Sequence, residues 1–119
     1  MMTSAGLKSI IPSVIWKSTN RDVILTQGAW FGHVLKEHPE MQGKQGLLER
    51  ALRNCLEINN QAFRWSTTPP DELYIQYGCE DFKPYNDHIR ARMKIIDQKA
   101  IIVLSAYPVF GIPGGIIKI

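Results

Sequence analysis

Eight residues in the last third of the chain, His88-Ile89-Arg90-Ala91-Arg92-Met93-Lys94-Ile95, alternate strictly between polar and apolar side chains. Successive side chains of an extended strand point to opposite faces, whereas a helix brings positions three and four apart together. This order therefore fits a half-buried strand, running over His88 to Ile96, and it needs a layer to cover Ile89, Ala91, Met93 and Ile95. Further strands are expected at Glu57–Trp65, at Glu72–Tyr77 after the turn Thr67-Thr68-Pro69-Pro70-Asp71, and at Ala100–Ala106. Asp97-Gln98-Lys99 reads as the hairpin loop between the last two.

The covering layer comes from the first half. Ile11–Trp16, punctuated by Pro12, reads as an edge strand; Lys17-Ser18-Thr19-Asn20 reads as a turn leading to a β-branched run at Asp22–Thr26, and the two runs are expected to pair. From Gln27 the period changes. Trp30, Phe31, Val34, Leu35 and His38 recur at three and four, with Thr26 as a candidate N-cap and Pro39 forcing a boundary, while Gly28 and Gly32 weaken the helix. A second helix is predicted over Gly46–Leu56, with Leu47, Leu48, Ala51, Leu52, Cys55 and Leu56 inside and Glu49, Arg50, Arg53 and Asn54 outside. The expectation is an α+β fold, two N-terminal helices packed on a four-stranded or slightly larger antiparallel sheet. The 119 residues suit one domain, with a loose start over 1–9 and a tail or edge strand over 108–119 containing the turn signal Pro113-Gly114-Gly115.

A net charge of +3 is too small for binding nucleic acid through bulk charge, so an anion site must come from local clustering. The strand opening at His88 offers such a cluster. Its polar face stacks Arg90, Arg92 and Lys94, and guanidinium groups present a planar fork of donors to phosphate oxygens. The same alternation also describes a solvated strand face, and both readings stand. His33 and His38 bring proton-transfer chemistry near neutral pH, yet five helical steps of about 100° set them about 140° apart unless the helix end distorts. His33 falls with Lys36, Glu37 and Glu40 on the polar side; His38 falls on the Trp30, Phe31, Leu35 side, where a packed histidine is the plain alternative. Ser105 and Tyr107 share a face at the end of the last core strand, as rim residues or as hydroxyl donors to a phosphoryl oxygen.

Other chemistries find little support. His33, His38 and His88 lack metal-ligand spacing, Cys55 and Cys79 form no CxxC pair and are expected to be reduced, and phosphate-loop, GxSxG and GxGxxG motifs do not occur. No metal or cofactor is expected. The aromatic residues are not interleaved with the basic run, so no base-stacking platform is legible. The lack of a secretory pattern or a bilayer-length apolar stretch leads to the expectation of a cytoplasmic protein with no membrane partner.

Three separated pieces, in order, carry a resemblance. His33-Val34-Leu35-Lys36-Glu37-His38-Pro39-Glu40, Lys94-Ile95-Ile96 and Ile102-Val103-Leu104-Ser105-Ala106-Tyr107 together resemble the phage-associated branch of the barnase, EndoU, colicin and RelE-like RNase superfamily over residues 21–107. The resemblance implies a helical segment before a four-stranded antiparallel sheet with the site on its open face. It also implies metal-independent RNA cleavage to a 2′,3′-cyclic phosphate, a toxin role, and a neutralising antitoxin or immunity protein. The motif histidines fall on His33 and His38 and the strand-end hydroxyls on Ser105 and Tyr107, with Ser105 standing where Thr is commoner. Combined with the residue reading, His33 or His38 acts as base or acid, Lys36, Arg90, Arg92 and Lys94 bind phosphate, and Ser105 with Tyr107 steadies developing charge. The competing class is an RNA- or protein-binding domain of the same shape that does no chemistry.

Overall fold

The N-terminal hairpin forms as its turn signals dictate. Strand β1 (Ile15–Trp16) turns into β2 (Arg21–Ile24), antiparallel with Ile15 opposite Asp22. Asn20 takes the left-handed φ of 57° that the turn requires, a conformation its short polar side chain tolerates. The computed structural model describes residues 4–65 and 67–111, with the backbone of 116–118. The Pro113-Gly114-Gly115 turn lies outside the described residues.

Two helical segments follow. The first, α1, covers 27–37: it is α-helical at Gln27–Ala29, opens to a wider π-helical wind at Trp30–Val34, and closes again at Leu35–Glu37. Thr26 caps it, its hydroxyl accepting from the Ala29 N–H at 3.1 Å. His38 leaves the helix with φ −134° and ψ 74°, as the residue before a proline must, and the turn Pro39–Met41 tucks Met41 fully inside. The second segment, α2, is α-helical over Gln45–Leu52 and π-helical over Arg53–Ile58. All six inner-face residues predicted for it are buried.

The strand expected at Glu57–Trp65 is corrected: 57–58 belong to α2, and only Phe63–Trp65 (β3) is extended. Two ion pairs line the outer side of α2 near this end. Arg53 bridges Glu49 at 3.1 Å and Glu57 at 2.9 Å, one turn before and one after it. Strands β4 (Glu72–Gly78), β5 (His88–Ile95) and β6 (Ala100–Val109) then form the antiparallel centre, and β7 (Ile116–Lys118) pairs with β3. Asp97 closes the β5–β6 loop by accepting from the Lys99 and Ala100 N–H groups at 2.8 and 2.9 Å.

The described strands join in the order β1-β2-β6-β5-β4-β3-β7. The α+β class is seen, but the expected four-stranded or slightly larger antiparallel sheet is not: the described sheet has seven strands and is mixed, because β2 runs parallel to β6 with Val23 opposite Ile101. The two paired runs, Val23-Ile24-Leu25 and Ile101-Ile102-Val103, are continuously apolar, the composition of strands that pair in parallel under cover. One sheet face, with Leu73, Ile75, Ile89, Ala91, Met93, Ile101, Val103 and Ala106, packs with the apolar face of α2 in a single core.

One irregularity decides what the opposite face carries. Met93 faces Val103 and Arg92 faces Ser105, so Leu104 has no partner on β5 and forms a β-bulge. Before the bulge the odd residues Ile101 and Val103 point into the core; after it Ala106 does, and Ser105 and Tyr107 project to the other side. Unbroken alternation would have sent Ser105 and Tyr107 inward with Ile101 and Val103.

Candidate functional site

On the face opposite the core, His88, Arg90, Arg92 and Lys94 form the predicted column. Register places Gly78, Gln76, Tyr74 and Glu72 of β4 beside them in that order, and Val109, Tyr107, Ser105 and Ile102 of β6 on the other side. The four side chains are not equivalent. Arg92 lies 3.6 Å from Glu72, Lys94 lies 3.8 Å from Asp71, and His88 Nδ1 lies 2.8 Å from Asp87. Among the described residues, Arg90 alone in this column has no carboxylate within ion-pairing distance.

Arg90 is instead held by neutral groups. Its Nε donates to Gln76 Oε1 at 3.1 Å, and Gln76 in turn donates to the Gly111 carbonyl. Its guanidinium carbon sits 5.1 Å from the Trp65 ring centroid, 5.3 Å from Tyr74 and 5.9 Å from Tyr107. Rings at these distances attract a cation through their quadrupoles without neutralising it. Arg90 is therefore a fixed positive charge with unspent attraction for an anion.

His38 reaches this cluster from the end of α1. Its imidazole stacks on Tyr107, centroids 5.0 Å apart at 28°, and its Nδ1 is 3.8 Å from Glu40. The distorted helix end makes this possible, since His38 already has non-helical dihedrals. His33 is exposed on the π-helical stretch, and Lys36 is exposed on the next turn. Neither makes a hydrogen bond or ion pair to the cluster among the described residues. Ser105 lies beside Arg92 but is buried, 4% exposed, so its hydroxyl lines the floor.

Three residues of the cluster, Gln76, Tyr74 and Trp65, are absent from the expected site. Gln76 and Tyr74 share a strand face with Glu72, a signal available in the alternation of β4 against Leu73 and Ile75. Trp65 lies on the expected strand, but its contacts with Tyr74 and Arg90 are made across strands and leave no local signal. The reading that aromatics are not interleaved with the basic run is corrected on the same ground: Trp65, Tyr74 and Tyr107 come from three strands and interleave across the sheet, not along the chain. Trp65 and Tyr74 stack at 4.2 Å. Tyr74 is buried, its hydroxyl has no partner among the described residues, and burial pushes the phenol above its ordinary range.

Among the described residues, no group of three or more His, Cys, Asp or Glu side chains gathers as a metal site, and His33, His38 and His88 do not assemble one. Cys55 and Cys79 are free thiols; burial pushes Cys55 up to about 11 and Cys79 upward as well. No helix among the described residues is long and apolar enough to cross a membrane. Comparison of the chain with known protein families, curated proteins and solved structures finds no match.

Proposed function

We propose that this chain is a metal-independent endoribonuclease that cleaves RNA by attack of a ribose 2′-hydroxyl on the adjacent phosphate. The O2′–P bond forms, the P–O5′ bond breaks, and a 2′,3′-cyclic phosphate and a 5′-hydroxyl result. The supporting observation is the Arg90 guanidinium, the member of the basic column without a carboxylate, set beside Tyr107 with the His38 imidazole stacked on that ring. In this reading Arg90 binds the nonbridging phosphate oxygens, and Arg92 and Lys94 favour the flanking backbone. The Tyr107 hydroxyl donates to the oxygen on which charge grows, and His38 moves a proton. Ser105 supports this arrangement from below.

The test uses RNA incubated with purified protein in EDTA, with mapping of the product ends. Removing a proton-transfer group costs about 100- to 10,000-fold, so His38→Ala is expected to fall in that range while His33→Ala stays within about twofold. Intact RNA with the parent chain, or full activity in both His38→Ala and Arg90→Ala, defeats the reading. A toxin role adds growth arrest on expression and relief by a neutralising partner protein. The second reading, a domain that grips RNA without cutting it, draws on the rigid packing of Arg90 among three rings. Its mark is binding that is lost in Arg90→Ala and kept in His38→Ala, with no cleavage by either or by the parent.

A further inference from the structure

The geometry points to His88 as a second proton-transfer residue of this site: a general base, oriented by Asp87, that takes the 2′-hydroxyl proton. The inference rests on the ribonuclease reading and supplies the partner that reading lacks. In-line displacement at phosphorus needs one group to accept a proton from O2′ and another to give one to O5′, and His38 can do only one of these in a turnover.

Asp87 and His88 form a tightly determined pair. Asp87 Oδ1 accepts from His88 Nδ1 at 2.8 Å and from the Gly111 N–H at 2.8 Å, and these two bonds hold the carboxyl below its usual range. The backbone around Asp87 is pinned as well: its N–H donates to Val109 at 3.1 Å and its carbonyl accepts from Cys79 at 3.0 Å. Gly111 reaches the carboxylate from a left-handed φ of 71°, which glycine adopts without strain. With Nδ1 committed to the carboxylate, the imidazole keeps Nε2 as its free, basic nitrogen.

That nitrogen is left uncovered by the sequence. The residue across from His88 on β4 is Gly78, and a Cβ built there would stand 3.8 Å from Nε2, so any longer side chain would extend over the nitrogen. The position also suits the reaction. His88 is one same-face step along β5 from Arg90, and Arg90 is opposite Tyr107, so His88 lies diagonally from the ring on which His38 stacks. Diagonal neighbours in an antiparallel pair are about 7–8 Å apart. A phosphate held by Arg90 would have the His38 imidazole on its β6 side and the His88 imidazole one same-face step along β5. His88 Nε2 takes the proton as O2′ attacks, and His38 gives one to O5′ as the P–O5′ bond breaks. Solvent then resets both rings.

The experiment measures single-turnover cleavage of a short RNA in EDTA by the full chain, with thermal melts as the folding control. His88→Gln is expected to lose about 100- to 10,000-fold in kcat with little change in KM, and His88→Gly is expected to recover activity on adding imidazole. Gly78→Leu, which leaves the Asp87–His88 pair intact, should also lose activity, and Gly78→Ala far less. Asp87→Asn, which removes the carboxylate that fixes the ring through Nδ1, should lower kcat while leaving KM little changed. Parent-like rates in folded His88→Gln or Gly78→Leu, with His38→Ala inactive, overturn the role of His88 and leave the nuclease reading in place. Should His88→Gln not fold, Gly78→Leu and imidazole rescue decide. A parent chain that cuts no RNA overturns both.

Discussion

Deleting Leu104 removes the bulge and forces one half of β6 to exchange faces. The two halves resist unequally. Residues Ala100–Ile102 are clamped on both sides, by β2 through Asp22, Val23 and Ile24 and by β5 through Lys94 and Ile95, whereas among the described residues Ser105–Val109 pair only with β5. Turning the first half outward would expose Ile101 and Val103, both fully buried, at about 1.5–3 kcal/mol each. Turning the second half costs the burial of Ala106, about 1 kcal/mol, and the His38–Tyr107 stack, worth about another 0.5–1.5. The second half should therefore yield. The deletion variant is expected to lose about 1–3 kcal/mol of stability by denaturant titration and nearly all RNA cleavage, because Tyr107 leaves the face that holds Arg90. Leu104→Ala, which keeps the extra residue, should preserve activity. A folded deletion variant cutting RNA at the parent rate would refute the claim that the bulge places Tyr107.

Two further outcomes follow from groups away from the site. Asp97, whose carboxylate accepts from Ser4, Lys99 and Ala100, is held down to about 2 from 3.8; its contribution to stability is present above 3.8 and drains away as pH falls toward 2, so the melting temperature of Asp97→Asn should show a weaker acid dependence than the parent's in that interval. Cys55, pushed up to about 11 by burial, has about one thiolate in a thousand at pH 8, and a thiol reagent should label the half-buried Cys79 first and Cys55 only on unfolding; equal labelling of the native chain would contradict the packing of α2.

Local periodicity carried much of the fold into view. The six inner residues of α2, the Thr26 cap and the β5–β6 hairpin were all legible, because each depends on contacts within a few residues of chain. The parallel pairing of β2 with β6 was not, since it joins residues some eighty positions apart and no short pattern encodes it. Nor was the persistence of α2 to Ile58, where the wind widens to π-helical over Arg53–Ile58 and departs from the regular period. At the site, the four basic residues could be aligned from alternation alone, but their inequality could not. Glu72, Asp71 and Asp87 single out Arg90 only once strands are in register. The choice between His33 and His38 likewise turns on the backbone at His38, where an ideal helix would have been misleading.

The parallel contact between β2 and β6 also works as a ruler. Thr26, which starts α1, follows Ile24 by two residues, so wherever Ile24 locks beside Ile102 the whole helix and its terminal imidazole are positioned along β6. A slip of two residues, the smallest that preserves inside and outside, would shift the helix by about 7 Å. That exceeds the 5.0 Å separating the two stacked rings, so the spacing between His38 and Tyr107 is set by an alignment made at the other end of the strand.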